Sequence, residues 1–261
     1  MLIQTIIDHL NTQIPLRYQE DWDNSGFLVG DAHRECTGAL VALDLTEEVI
    51  DEALTLGYNL IVTHHPILRN GIKQITPSTA EGRLVMALLQ HNLCHYAAHT
   101  SLDNHPLGVS AILARKLGVE GCTILRPVAI DGTLTGGGMI GTLPSPITLD
   151  DFIARVKQVL GIPCVRTSRP ITDRLIRKVA LCGGSGAFMI GDAKAQGADI
   201  YLTGDLKYHD FQQAEGKIVL AEIGHYESEQ FAQELLLQTL TEKNITARTT
   251  TTRGGYIFYH C

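Results

Sequence analysis

The feature that most limits what this chain can fold into is an internal echo. Val41-Ala42-Leu43, followed by Gly57-Tyr58-Asn59-Leu60-Ile61-Val62-Thr63, returns as Val179-Ala180-Leu181, followed by Gly197-Ala198-Asp199-Ile200-Tyr201-Leu202-Thr203. Self-similarity of this kind means that one supersecondary unit is built twice. Around the echo, runs rich in β-branched residues alternate with runs of helical period. The alternation predicts strands at 39–44, 59–63, 93–98, 178–182, 199–203, 218–223 and 255–259. Helices are expected at 2–13, 47–56, 81–90, 108–117, 149–160, 188–196 and 228–242, with Thr46 and Thr148 placed as N-caps. The expected class is α/β, in layers of helix and sheet, with similar halves at 1–125 and 126–261.

Composition excludes several functions. With 44% apolar residues in 261, the chain can bury a real core. No run approaches the roughly 18 uninterrupted apolar residues of a membrane-spanning helix, and Met1–Leu10 has neither a basic flank nor a cleavage site. A cytoplasmic protein without a membrane partner is therefore expected. The six cysteines, at 36, 94, 122, 164, 182 and 261, form no Cys-x-x-Cys pair. They read as buried small hydrophobes in a reducing compartment rather than as a disulfide framework or a zinc knuckle. A net charge of −7 disfavours tight binding to a nucleic-acid backbone, although a local basic patch would escape that sum.

The echo continues into chemistry. His64-His65-Pro66 ends the first threonine strand, and the next strands of the two halves end in His99-Thr-Ser-Leu-Asp103 and His225-Tyr-Glu-Ser-Glu229, both His-x-x-x-acid. A histidine and an acid four residues apart share one face if a helix begins there. Where the first half has His64-His65 the second has Gly204-Asp205, so only one copy supplies an imidazole pair. Singly, each motif has a plain reading: His-His-Pro as a turn, His225 with Glu229 as a helix-start ion pair. Together His64, His65, Asp103, His225 and Glu229 all follow apolar strands, where strands fix ligands and loops leave an open face. Three imidazoles and two carboxylates exceed the needs of one closed structural zinc. They suit two divalent ions sharing one asymmetric site.

The chain resembles the Nif-three-like family of dinuclear-metal hexameric proteins, labelled GTP cyclohydrolase type 2 homologues. The resemblance is carried by Asp23-Asn-Ser-Gly26, Thr63-His-His-Pro66, His99-Thr-Ser-Leu-Asp103, Cys182-Gly-Gly-Ser-Gly186, Thr203-Gly-Asp-Leu-Lys-Tyr-His209 and Gly224-His-Tyr-Glu-Ser-Glu229, in order along nearly the whole chain. It implies the same ligands, His64, His65, Asp103, His225 and Glu229, two intertwined α/β repeats with mixed sheets in an α/β/α arrangement, and a homohexamer that forms a toroid of trimers. The length matches the compact form without the domain inserted in longer relatives. The family label implies hydrolytic opening of the guanine ring of GTP.

Further residues have candidate roles beside ordinary ones. His99 reads as a general acid and base or as a partner of Asp103, with core filler as the alternative. Glu222 and Glu227 flank His225 and could orient it or take up a proton. Asp205, Lys207 and His209 read as a cavity wall rather than a third metal site. The Cys182–Ala187 turn lacks the Walker residues, so it reads as packing rather than a phosphate cradle. Three functions are thereby expected in order: a hydrolase acting on a nucleotide through two divalent metals (zinc, iron, manganese, cobalt or nickel), with His99 and Glu222 as catalytic candidates; a metal-dependent ring scaffold or regulatory protein without turnover; and a ring that threads DNA.

Overall fold

The computed structural model describes the chain apart from residues 70, 72, 172–173, 253–255, 258 and 260–261. Of the strand expected at 255–259, residues 255 and 258 lie outside the described residues, and Tyr256, Ile257 and Tyr259 are not in a strand. The chain separates into two compact units, one of Met1–Leu102 with Ala232–Tyr256, the other of Asp103–Phe231 with the tail from Ile257.

The first unit is built on a five-stranded sheet of β1 (Gly26–Val29), β2 (Ala39–Ala42), β3 (Leu60–Thr63), β4 (Cys94–Ala97) and β11 (Ala247–Thr249), in the order β1-β4-β3-β2-β11. β11, β2, β3 and β4 run parallel, and β1 closes the far edge antiparallel to β4. Helices α2 (Glu47–Leu56) and α3 (Ala80–Gln90) provide the crossovers from β2 to β3 and from β3 to β4. Both faces of the sheet are covered, which is why its strands read as continuous apolar runs. Leu40, Ala42 and Ile61 meet Val49, Ile50, Ala53 and Leu88 of the crossover helices on one face. On the other side, Tyr96 of β4 donates to Asn11 of α1 (Ile3–Gln13) at 2.9 Å. Thr46 caps α2 by accepting from the Val49 N–H, a contact worth about 1 kcal/mol.

The second unit has a six-stranded sheet of β5 (Glu120–Ile130), β6 (Thr133–Ile147), β7 (Arg166–Thr167), β8 (Ile176–Ser185), β9 (Ile200–Gly204) and β10 (Val219–Glu222), in the order β5-β6-β8-β9-β10-β7. β8, β9 and β10 are parallel, while β5, β6 and β7 pair antiparallel. Alternate residues divide between the faces. Val179, Leu181, Ile200, Leu202, Val219 and Ala221 pack against Leu113 and Ala114 of α5 (Val109–Lys116) and Phe152 and Val156 of α6 (Leu149–Leu160). Ala180, Tyr201 and Leu220 pack against Ile190 and Ala193 of α7 (Ile190–Ala195).

The echo is therefore structural: β2 and β3 with α2 correspond to β8 and β9 with α7. The compact units, however, are not the stretches 1–125 and 126–261. β11 hydrogen-bonds to β2 and so completes the first sheet from the end of the chain. α5 and β5 go the other way, because their apolar side chains pack on β6 and β8. Each sheet thus recruits sequence from beyond its own half. Among the described residues the cysteines are free, and of these Cys94 and Cys182 are buried, Cys36 is half-buried, and Cys122 and Cys164 are exposed. Small thiols on the long β5–β6 hairpin and before β7 need no core position. No helix is long and apolar enough to cross a membrane among the described residues.

Candidate functional site

In the first unit the end of β3 delivers two imidazoles into a buried position. The ladder to β2 continues past the strand through His64 N–H to Ala42 O and His65 N–H to Leu43 O. The Thr63 hydroxyl donates to the His65 carbonyl at 2.7 Å and so fixes the turn. His99 follows β4, and the three rings lie 4.9 Å (64 to 65), 5.4 Å (64 to 99) and 5.4 Å (65 to 99) apart, centre to centre.

The hydrogen bonds assign the tautomer of each ring. His64 Nδ1–H donates to the Ala98 carbonyl at 2.8 Å, His65 Nδ1–H to Asp44 at 2.8 Å, and His99 Nδ1–H to Asp23 at 2.7 Å. None of these acceptors has a proton to give back, so Nε2 is the lone-pair nitrogen of all three rings. One ligand atom from each lies within 4.8 Å of the others, so the trio can hold a metal ion. Asp23 is itself secured: its second oxygen accepts from the Thr100 N–H at 3.0 Å, the Thr100 hydroxyl at 2.6 Å and the Ser25 hydroxyl at 2.9 Å. Burial alone would raise the Asp23 carboxyl, but the bonds from His99 and Thr100 outweigh it and hold the group well below the usual carboxylate range.

His95 shows what a core histidine looks like beside this trio. It is fully buried on β4, and its Nε2–H donates to the Thr63 hydroxyl at 2.8 Å. Desolvation pushes its pKa down to about 3, so it is a neutral wedge behind the turn.

In the second unit, helix α8 (His225–Glu229) starts three residues after β10. His225 Nδ1–H donates to Asp205 at 2.7 Å, and its Nε2 lies 3.1 Å from Glu229 one turn on. Burial pulls this imidazole down, but Glu229 and then Asp205 prevail and push it up to about 10. The two carboxylates thus favour the charged form of this imidazole. Asp103 belongs to the same unit. Burial first, then the Asp103 and Glu229 charges, raise the Cys182 thiol, which leaves it protonated.

The turn at the end of β8 is shaped around Glu229. Gly184 has φ +64°, and a Cβ there would stand 2.1 Å from Glu229 Oε1. Its N–H donates to the Ser228 hydroxyl, and the Gly183 N–H donates to Ser110. These amides are spent on packing α5 and α8 against the turn, the role expected for it.

The structure thus gathers His64, His65 and His99 in one unit and couples His225 to Glu229 in the other. Glu222 accepts from Arg166 at 3.2 Å and from the Gly224 N–H at 3.3 Å. The residues that orient the imidazoles are Asp44, Asp23 and Asp205. Asp205, read as a cavity wall, adopts φ +57° directly after the last residue of β9 and so turns its carboxylate to His225. The sequence itself offered only its place, directly after the second threonine strand where the first copy has an imidazole.

Imidazole nitrogens with a secured Nδ1–H, together with carboxylates, form a donor set that fits a divalent cation. The fold is that of an α/β protein of two mixed sheets, and these groups could hold a metal ion. The Duf34/NIF3 (NGG1p interacting factor 3) family model matches residues 1–253, and the chain belongs to this family. It is 35% identical over 232 residues to the "GTP cyclohydrolase 1 type 2 homolog" of Clostridium perfringens, covering 88% of this chain and 87% of that protein. The Streptomyces coelicolor protein of the same name is 31% identical, covering 87% of this chain and 81% of its own. The alignment with a Staphylococcus aureus homologue runs over 327 residues, more than the 261 present here, as an insertion in that relative requires. Among solved structures, Staphylococcus aureus protein SA1388 superposes with a TM-score of 0.91 at 29% identity, covering 100% of this chain and 99% of that one. A Bacillus cereus protein related to NIF3 shares the fold, with a TM-score of 0.89 at 24% identity and the same coverage.

Proposed function

We propose that this protein is a metal-dependent hydrolase of a nucleotide, with His64, His65, Asp103, His225 and Glu229 as ligands of two divalent cations. The observation that supports the reading is that His64, His65 and His225 each spend Nδ1–H on an acceptor, the ring-orienting bond that a metal-ligating imidazole makes. Structural histidines do not need that uniformity. Bound cations would supply Lewis acidity toward a carbonyl, ring carbon or phosphoryl group and would lower the pKa of water.

The protein's own part is orientation and proton transfer. Asp44 and Asp205 hold the ligand rings in one tautomer. His99, locked the same way by Asp23, presents Nε2 as a proton acceptor beside His64 and His65 and then returns the proton to the leaving atom. Glu222, held by Arg166, steadies the turn into α8 through the Gly224 amide. The names of the Clostridium and Streptomyces relatives make GTP the first substrate to try.

The test is metal analysis of protein purified without added metal, followed by a hydrolysis screen of GTP and other nucleotides on the same sample. Close to two ions per chain, with turnover lost in Glu229→Gln, is the expected result. Two ions without turnover of any nucleotide would turn the reading into the metal-dependent scaffold, and no bound ion would end both. The ring-shaped homohexamer belongs to the same proposal and is checked by sedimentation of the same material.

A further inference from the structure

Trp22 is the chain's single tryptophan, and it is 67% exposed. A lone exposed aromatic is ordinary on a protein surface. Trp22 differs in how it is mounted. The loop around it is pinned on both sides: Glu20 N–H to the Thr100 hydroxyl at 2.9 Å, Ser25 N–H to Gln19 at 2.9 Å, Asn24 to the Leu68 carbonyl at 2.6 Å, and Asp23 to His99 and Thr100. None of these bonds involves the indole, so the loop is rigid without it and gains little burial from it. The indole's ring neighbour is His99, 5.9 Å away and nearly perpendicular at 76°. His99 in turn lies 5.4 Å from both His64 and His65. An open indole face is thus held one ring away from the imidazole trio.

We infer that Trp22 is a stacking platform for the flat heteroaromatic ring of the substrate, a purine base carrying N–H donors on its edge. A bicyclic ring matches the area of an indole, and base-on-aromatic stacking tolerates any base with a π-face. Glu20 and Asp21, both exposed and directly preceding Trp22 in the chain, put negative charge on this loop and so select among such rings. They favour an edge with amino and imino hydrogens, as guanine has, and they repel an anionic ring or a phosphate laid along that side. A nucleotide stacked there therefore directs its phosphates away from Glu20 and Asp21. The inference rests on the proposed nucleotide hydrolase for the choice of ring, whereas the platform uses only residues of the first unit.

A single tryptophan makes the test direct, because all indole emission comes from this position. Guanosine is titrated into zinc-loaded and into chelator-treated protein while tryptophan fluorescence is followed, with ribose 5-phosphate as the probe that lacks a ring. Saturable quenching by guanosine in both preparations and none by ribose 5-phosphate is expected. In equilibrium dialysis, Trp22→Ala should bind labelled guanosine on the order of tenfold more weakly and Trp22→Phe should keep most of the affinity, with zinc content unchanged in both. Absence of saturable quenching up to millimolar guanosine, or equal guanosine binding by Trp22→Ala and the parent, would overturn the inference. Zinc content, measured separately on each sample, judges the metal reading whatever the indole does.

Discussion

The position of the Glu229 carboxylate depends on a residue that carries no side chain, and Gly184→Ala tests this. At φ +64° an alanine pays about 1–2 kcal/mol of backbone strain. Its methyl would also stand 2.1 Å from Glu229 Oε1 and 3.0 Å from Cδ, far inside contact distance. The carboxylate is 3% exposed and lies 3.1 Å from His225 Nε2, so it can yield only by leaving the imidazole. Strain of this size lowers the melting temperature by about 2–8 °C in a chain this long. On the proposed metal reading, displacing Glu229 should weaken ion binding at least as much as disturbing an outer partner does, about 10–100-fold. Gly191→Ala is the control: it lies in α7 with nothing within 4 Å of its added methyl, so stability should rise by up to about 1 kcal/mol with ion affinity unchanged. Calorimetry of the apo proteins and competition with a chromogenic chelator read both quantities. A Gly184→Ala protein that binds ions as tightly as the parent would refute the assignment of Glu229 as a ligand held in place by this turn.

Asp205→Asn keeps a residue type that tolerates the left-handed backbone but removes the charge facing His225 Nδ1–H, so ion affinity should fall about 10–100-fold with little change in apo melting, as chelator competition would show. Adding the bound cation at about 100-fold over its dissociation constant should stabilise the protein by about 2.7 kcal/mol, and stripping it with a chelator should lower the melting temperature by several degrees. Glu52 tests pH dependence away from the ligands. Burial pushes its carboxyl up, but the Thr250, Thr251 and Thr252 donors prevail and bring it from 4.5 down to about 2. A depressed carboxyl stabilises above its unfolded value and loses that contribution as pH falls from 4.5 toward 2. Solvent screening limits the effect to about 1 kcal/mol, so Glu52→Gln should melt slightly lower than the parent at pH 7 and equally at the acid end.

The central strands and most of the helices were legible because burial on both sheet faces makes each strand a continuous apolar run, and because Thr46 and Thr148 mark helix starts by their own chemistry. The β5–β6 hairpin was not. Most of β5 is exposed, and Pro127, Pro144 and Pro146 interrupt any strand pattern, so its pairing is backbone chemistry that side chains do not advertise. β11 was missed for a related reason, since a three-residue edge strand gains its place from β2 alone. At the site, His64, His65, His99, His225 and Glu229 stood out by type and position. Their partners did not, because an aspartate becomes an orienting acid only once the order of the strands is known.

That order obeys one rule in both units. Neighbouring parallel strands end side by side, so the residue after one strand meets the residue after the next. Asp44, two residues past β2, meets His65, two residues past the adjacent β3. Asp205, one residue past β9, meets His225, three residues past the adjacent β10. An acid from one strand end and an imidazole from the next therefore produce the same oriented histidine twice. The pair sits one strand further along in the second unit, at β9 and β10 where the corresponding strands of the first are β3 and β4. This shift explains why the His64-His65 pair has no imidazole counterpart at Gly204-Asp205: that position in the second copy supplies the acid rather than the imidazole.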